Sequence, residues 1–265
     1  MSNQAPADSG RTRPLERYVQ ILETLAAFPE GLSATQIGQM LGLDKSAMTR
    51  LLGGLLDSHL IEGTSGRGGV YRIGARMTRL LHQSADAAQI EAASRHHLKQ
   101  LAESSGETCF IARLVGQEIR SVAMETPDSR IGVYVTPGHP LLPHATASGK
   151  AIMAFQSKET VRAALRAPLQ RYTPATKVPR TAVMADYETI RSRGWAVEIG
   201  EHVEGLATVA CPIQIAGLGV YYSVGLTGPT ERIRPRIESK LVPLLKDTAH
   251  RLGLALHGSA GSQQG

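Results

Sequence analysis

The chain has 265 residues, 42 % of them hydrophobic, enough to bury a core in one large domain or two ordinary ones. No apolar run nears the ~20 residues of a membrane span, no secretory pattern opens the chain, and two cysteines make no disulfide framework, so a reduced cytoplasmic protein without membrane contact is expected. The formal charge of +6 permits nucleic-acid binding without establishing it, and where the charge sits matters more.

Residues 1–12 and the tail 258–265 are small, polar and aperiodic, and are expected to be disordered. "PLERYVQILETLAAF" then places Leu15, Val19, Leu22 and Ala26 on one helical face, with Pro14 near the first turn and Glu16 at the positive end. After the break "PEG", "SATQIGQML" spaces Ser33 and Gln36 as a capping box and turns Ile37, Met40 and Leu41 inward. Asp44 of "GLD" can cap a third helix, "KSAMTRLLGGLLDSHL", whose Met48, Leu51, Leu52 and Leu55 follow one helical stripe. Lys45, Ser46, Thr49 and Arg50 are thereby left together on the open face of its first two turns.

Two short helices joined by a tight turn, with basic and short polar side chains opening the second, suit insertion into a DNA major groove. Arg and Lys reach guanine edges or phosphates; Ser and Thr reach either. The following "LIEGT", "SGRGG" and "VYRIG" predict two strands around a glycine-rich turn, with Arg67 at the tip for a minor groove or phosphate and Arg72 on the return strand. A winged helix-turn-helix over residues 13–75 is the reading; a small helical bundle that binds protein is the alternative. Gly53-Gly54 inside the third helix costs up to ~1 kcal/mol per residue relative to alanine, which leaves close packing and local softness both open.

From Arg76 to Ser105 the period stays helical, predicting a linker helix over 76–92 and then the first helix of a second domain, 93–257, ended by Gly106. His96 and His97 are adjacent and project apart on a helix, so the pair is not a metal site. Strand-like "ETCFIARLV", "EIRSVAMET" and "RIGVYV" precede helices at Ser148–Phe155, around Lys158–Leu165 and at Ala182–Arg193. "GWAVEI", "GLATVACPI" and "GVYYSVGLTG" are again strand-like, and a helix from Glu231 closes the chain. Strands bracketing helices at hairpin spacing predict an α+β domain with one antiparallel sheet.

"HATASGKAIMAF", residues 144–155, holds a suggestive "SGK". A phosphate-binding loop needs glycine where His144 stands, and an S-x-x-K catalyst needs serine where Ala147 stands, so both readings fail. What remains is a run of small residues opening an apolar helix, where backbone amides can approach a carboxylate. A plain N-cap by Thr146 or Ser148 is the competing account.

Five segments in this order, "LGLDKSAMTRLLGGL", "YRIGARM", "HATASGKAIMAF", "RGWAVEIGEHVEGLATVACPI" and "SVGLTGP", resemble the IclR family of bacterial transcriptional regulators, over about Leu15 to Leu254. The resemblance implies an N-terminal winged helix-turn-helix that dimerises on a palindromic double-stranded DNA operator. It also implies a C-terminal GAF-like effector domain that takes a small metabolite, often an organic acid, and dimers that pair into tetramers. Matched to the family, backbone amides of Ala147 and Ser148 meet an effector carboxylate, while Glu198, Leu206, Thr208, Gly225 and Thr227 face the ligand. Family members often carry aspartate, cysteine and serine where Glu198, Thr208 and Gly225 stand, which implies a somewhat roomier pocket suited to an aromatic acid.

Glu201 and Gly205 match the family's E-x-x-x-G, with Glu201 expected to bond loop backbone. Cys109 and Cys211 are expected to pack as small apolar residues, and Trp195 to pack where a strand starts. A metal site from His139, His144 and Cys211 has no support in the spacing, and no cofactor is expected. The leading function is a regulator whose operator affinity a ligand controls, with repression favoured over activation. The alternatives are a constitutive DNA-binding protein whose second domain only oligomerises, and a hydrolase using Ser148, His144 and Glu201, for which no G-x-S-x-G elbow is present.

Overall fold

The computed structural model describes residues 14–63, 69–84, 86–127, 133, 135–166 and 168–259. They belong to two compact units that divide between Leu81 and His82.

The first unit runs through helix α1 (Pro14–Ala26), strand β1 (Leu32–Ser33), helices α2 (Ala34–Leu41) and α3 (Lys45–Asp57), and strands β2 (Ile61–Gly63) and β3 (Val70–Ile73). Helix α4 (Ala75–Ser84) follows and spans the division. Local chemistry sets the helix ends. Ser33 Oγ accepts the Gln36 amide at 3.3 Å while the Gln36 side chain accepts the Ser33 amide at 2.8 Å, the reciprocal box its spacing predicts. Gly42, at φ 64°, ends α2 in the left-handed region, and Asp44 Oδ1 accepts the Ala47 amide at 2.9 Å to start α3. Strand β3 lies between β1 and β2, antiparallel to both.

The core of this unit collects Met48, Leu51, Leu52 and Leu55 of α3 with Ile37 of α2, as the periodicity predicts. Met40, expected inward, is 54 % exposed. The inward face of α1 also differs from expectation. Leu15 is 73 % exposed and Val19 39 %, whereas Ile21 and Leu25 are buried with Tyr18 packed beside them. Leu15, Tyr18, Val19, Ile21, Leu22 and Leu25 make two adjoining apolar stripes, and period alone does not choose between them. Gly54 leaves the space that the Tyr18 ring uses: a β-carbon there would lie 3.1 Å from the tyrosine oxygen. The expected hairpin tip, with Arg67, lies outside the described residues.

The second unit begins with α5 (Ala87–Ser105), stopped by left-handed Gly106, and continues through β4 (Thr108–Val115), β5 (Glu118–Glu125) and β6 (Pro140–Leu141). Helices α6 (Ala147–Met153), α7 (Lys158–Ala164) and α8 (Arg180–Arg193) precede β7 (Ala196–Ile199), β8 (Leu206–Ile215) and β9 (Gly219–Pro229). The strands form one antiparallel sheet in the order β6-β5-β4-β9-β8-β7. Alternation sends Cys109, Ile111, Val209, Cys211, Val224 and Leu226 to one face, and Phe110, Ala112, Ala196 and Ala210 to the other. The first set packs with α5 and the last helix, the second with α6, α7 and α8.

Two expectations change in this unit. Of "RIGVYV", Val133 and Val135 carry no strand pairing, and the other four residues lie outside those described. The single closing helix is instead α9 (Thr230–Ile233), a 3₁₀ turn (Arg234–Arg236), a π turn (Ile237–Leu241) and α10 (Val242–Ser259). Pro235 and Pro243 each lack an amide donor, so an unbroken α ladder cannot form across them.

The two glycines of α3 separate experimentally. A β-carbon at Gly53 meets nothing within 4 Å, whereas one at Gly54 meets the Tyr18 ring. Gly53→Ala is expected to stabilise the first unit by up to about 1 kcal/mol through helix propensity. Gly54→Ala should gain less, because Tyr18 must shift; urea denaturation of both variants measures the difference.

Candidate functional site

In the first unit, the start of α3 exposes Lys45, Ser46, Thr49 and Arg50 together. The buried stripe Met48–Leu51–Leu52–Leu55 fixes that orientation from the opposite side of the helix. Among the described residues, Lys45, Ser46 and Arg50 have no side-chain hydrogen bond or ion pair, while Thr49 Oγ1 donates to the Lys45 carbonyl at 2.9 Å. Lys45 and Thr49 edge a groove of about 1180 Å³ bounded by Ser33 and Thr35 near the start of α2 and by Tyr71 on β3. Arg72 is exposed on β3 opposite Glu62.

In the second unit, a cavity of about 250 Å³ lies on the sheet face that carries α6. Its floor is a row of directly paired residues on neighbouring strands: Thr227 of β9 opposite Thr208 of β8, and Thr208 opposite Glu198 of β7. Paired residues share a face, so the three polar groups converge by register alone. Thr208 Oγ1 donates to Thr227 Oγ1 at 3.0 Å. Phe110, Val133, Val135, Leu141, Val203 and Leu206 make the apolar walls, with His139 and His202 among them.

Glu198, Leu206, Thr208 and Thr227 therefore come together on the cavity. Ala147, Ser148 and Gly225 sit behind its wall, and Thr146 takes the place of the helix start on the lining. Thr146 is also the N-cap of α6: its Oγ1 accepts the Gly149 amide at 3.2 Å and donates to the Leu142 carbonyl at 2.8 Å. A β-carbon on Gly225 would lie 2.9 Å from Ser148 Oγ and 3.0 Å from the Phe110 ring. The room that glycine opens is filled by those two side chains, so the expected enlargement of the pocket at position 225 does not arise.

Lys150, the lysine of "SGK", is fully buried and points away from any ligand role. Its Nζ bonds both Glu201 oxygens at 2.8 and 2.7 Å and Asp186 Oδ2 at 2.9 Å. Burial pushes the Asp186 carboxyl up, but hydrogen bonds from Lys177 and the charge of Lys150 outweigh it and hold it below the ordinary aspartate value. Glu201 is structural as expected, through this ion pair rather than through loop backbone. Its own amide donates to Glu198 Oε2 at 2.9 Å, which ties the charged cluster to the cavity floor.

Glu198 is only 4 % exposed, and burial pushes its carboxyl up to about 7. The hydrogen bond from the Glu201 amide opposes that rise and the Glu201 charge adds to it. His202 is held below the usual imidazole value by burial and by the neighbouring His139 and His144. Sequence reasoning missed Phe110, His139, His202 and the Lys150–Glu201 pair. The signal for the last was a lysine enclosed between small residues and "AIMAF", where an ammonium needs a partner.

The hydrolase constellation does not assemble. Among the described residues Ser148 Oγ has no hydrogen-bond partner, His144 Nε2 pairs with the Gln170 carbonyl at 2.9 Å, and Glu201 is held by Lys150. Cys109 and Cys211 are buried thiols pushed up to about 12 by desolvation, and both pack in the core of the opposite sheet face. Trp195 is buried with the Arg193 guanidinium 3.6 Å over its ring.

A cationic helix start in a helix-turn-helix, together with a sheet domain that holds a mostly apolar cavity, defines a ligand-responsive DNA-binding regulator. Residues 82–253 match the family model of the bacterial transcriptional regulator IclR C-terminal domain and residues 14–63 that of the IclR helix-turn-helix domain; the chain belongs to the IclR family. It is 29 % identical over 231 residues to the HTH-type transcriptional regulator TtgV of Pseudomonas putida, covering 87 % of each chain. It is 32 % identical to the glycerol operon regulatory protein of Streptomyces griseus, over 89 % of this chain and 92 % of that one. The inducer-binding domain of the PobR transcription factor from Acinetobacter, a double mutant solved with 3-hydroxybenzoic acid, matches with a TM-score of 0.56 and 25 % identity, over 62 % of this chain and 97 % of that one. These relatives are transcriptional regulators, not enzymes.

Removing the buried ammonium should be costly. Lys150→Met leaves Glu201 buried without its cation and is expected to destabilise the second unit by about 3–5 kcal/mol. Adding Glu201→Gln to that variant should recover part of the loss, as read from the denaturation midpoints of the single and double variants.

Proposed function

We propose that the chain is an effector-gated repressor. It binds a palindromic operator as a homodimer through Lys45, Ser46, Thr49, Arg50, Arg67 and Arg72, and dimers pair into tetramers. A small organic acid, aromatic rather than two-carbon, enters the cavity and lowers operator affinity by favouring the state that binds DNA less well. The observation that carries this reading is the cavity of about 250 Å³ in the same chain as an unpaired cationic helix start. That volume exceeds the ~150 Å³ that admits benzene elsewhere. The 3-hydroxybenzoic acid held by the PobR domain supports an aromatic acid as the effector class.

The homodimer has support in the first unit. Leu15 and Val19 expose an apolar stripe on α1, and Leu80 of α4 is 50 % exposed. Leu15→Glu with Val19→Glu is expected to shift the sedimentation profile toward monomer at micromolar concentration and to weaken operator binding. An unchanged profile would remove α1 from the interface.

Arg50→Ala is expected to cost about 1–3 kcal/mol of operator affinity while leaving the melting temperature intact. A gel shift on DNA upstream of the protein's own gene measures it. Ligand-dependent changes in melting temperature and operator affinity, found together, test the gating; a constitutive DNA-binding protein would show neither.

A further inference from the structure

The cavity's polar equipment favours one ligand chemistry. Among its described lining residues none is lysine or arginine. Lys150, on the nearby helix, is committed to Glu201 and Asp186, and Lys177 is bonded to Asp186 as well. Thr146 Oγ1 is occupied by the Leu142 carbonyl and the Gly149 amide. What remains on the floor is the Glu198 carboxyl, buried, aligned with Thr208 and Thr227, and held by the Glu201 amide. It has no ion pair among the described residues. A ligand carboxylate brought against an ionised Glu198 would be a second like charge in a desolvated site, and one of the two must take a proton.

We propose that the cavity recognises its ligand through the Glu198 carboxyl, taking a neutral hydroxyl-bearing molecule directly and an organic carboxylate only together with a proton on Glu198. The inference rests on the reading of this cavity as the effector site. A hydroxyl donates to ionised Glu198 and accepts from protonated Glu198, so its binding is indifferent to that proton. A carboxylate only accepts, so it requires the protonated form.

Several titratable groups surround Glu198 and must be separated from it. Glu201 and His202 come from the loop after β7, His139 from the segment before β6, and Lys150 from α6. Asp186 and Lys177 lie behind Lys150, and His144 reaches His202 through Tyr172, whose ring is 5.2 Å from that of His202. Of these, His139 and His202 line the cavity and are the competitors, because a ligand carboxylate could draw a proton onto either imidazole instead.

The test is calorimetric titration of the full chain with benzoate, a carboxylate with no hydroxyl, and with benzyl alcohol, at pH 6 and pH 8, in buffers of different ionisation enthalpy. With a carboxyl pushed up to about 7, benzoate should bind about tenfold more weakly at pH 8 than at pH 6, with uptake of close to one proton at pH 8. The alcohol should change less than about twofold. Glu198→Gln should abolish the pH dependence and the proton uptake, and His139→Asn and His202→Asn should each retain both. Equal benzoate affinity at the two pH values would overturn the proposal. So would pH dependence that survives in Glu198→Gln, or binding of neither probe at either pH. Leu206→Trp, which fills the cavity, separates the underlying reading: unchanged binding of both probes in that variant would mean that the cavity is not the effector site.

Discussion

The buried ammonium of Lys150 is the constraint around which the second unit is arranged. It lies on α6, and its partners come from α8 and from the loop after β7, thirty-six and fifty-one residues further along the chain. A charge taken out of water must be matched by well-placed counter-charges, and here Glu201 supplies both oxygens and Asp186 a third. Such clusters add little net stability against an apolar core of the same shape, but they tolerate few arrangements. The start of the loop is therefore anchored at Glu201, and the Glu201 amide holds Glu198 at 2.9 Å. A charge with no part in ligand contact thus sets the geometry of a group that lines the cavity.

The sheet supplies the other half of the site. Because strands β9, β8 and β7 are antiparallel and in register, Thr227, Thr208 and Glu198 stand side by side on one face. One row along, Phe110, Gly225, Ala210 and Ala196 stand on the same face. The small members of that row let α6 lie close, and Gly149 does the same from the helix side, since a β-carbon there would be 2.3 Å from the Leu142 carbonyl oxygen. "SGK" is thus a packing and ion-pairing motif: serine against Gly225, glycine against Leu142, lysine into the acidic pair.

What could be read directly from the chain was whatever rests on neighbours in sequence. The Ser33–Gln36 box, the Asp44 cap, the left-handed glycines and the α3 stripe each depend on residues within a few positions of one another. The inward face of α1 was not legible, since two apolar stripes compete and a glycine some thirty-five residues away decides between them by admitting Tyr18. The closing helix failed for a local reason that was visible in principle, two prolines eight residues apart in a helical period. On the cavity floor, Glu198, Leu206, Thr208 and Thr227 were reached through family resemblance rather than through period or spacing. Ala147, Ser148 and Gly225 were carried over the same way, yet their side of the wall depends on how Ser148 and Phe110 share one space. No pattern along the chain encodes that.

The construction of the cavity also constrains how a ligand can act. A ligand shifts an equilibrium only by the difference between its affinities for the two states. The floor residues sit on strands held by ladders, Thr208 and Thr227 on both sides, so they offer the same groups in any state that keeps the sheet. Part of the wall is built differently, although Phe110, Leu141 and Leu206 stand on strands. Val133, Val135, Thr136 and His139 precede β6, and His202 and Val203 lie between β7 and β8, all on backbone outside helix and strand. These loop-borne parts of the wall are where a difference in affinity between states can arise without changing the sheet. The floor fixes what chemistry is recognised, and the walls fix which state is favoured when it binds.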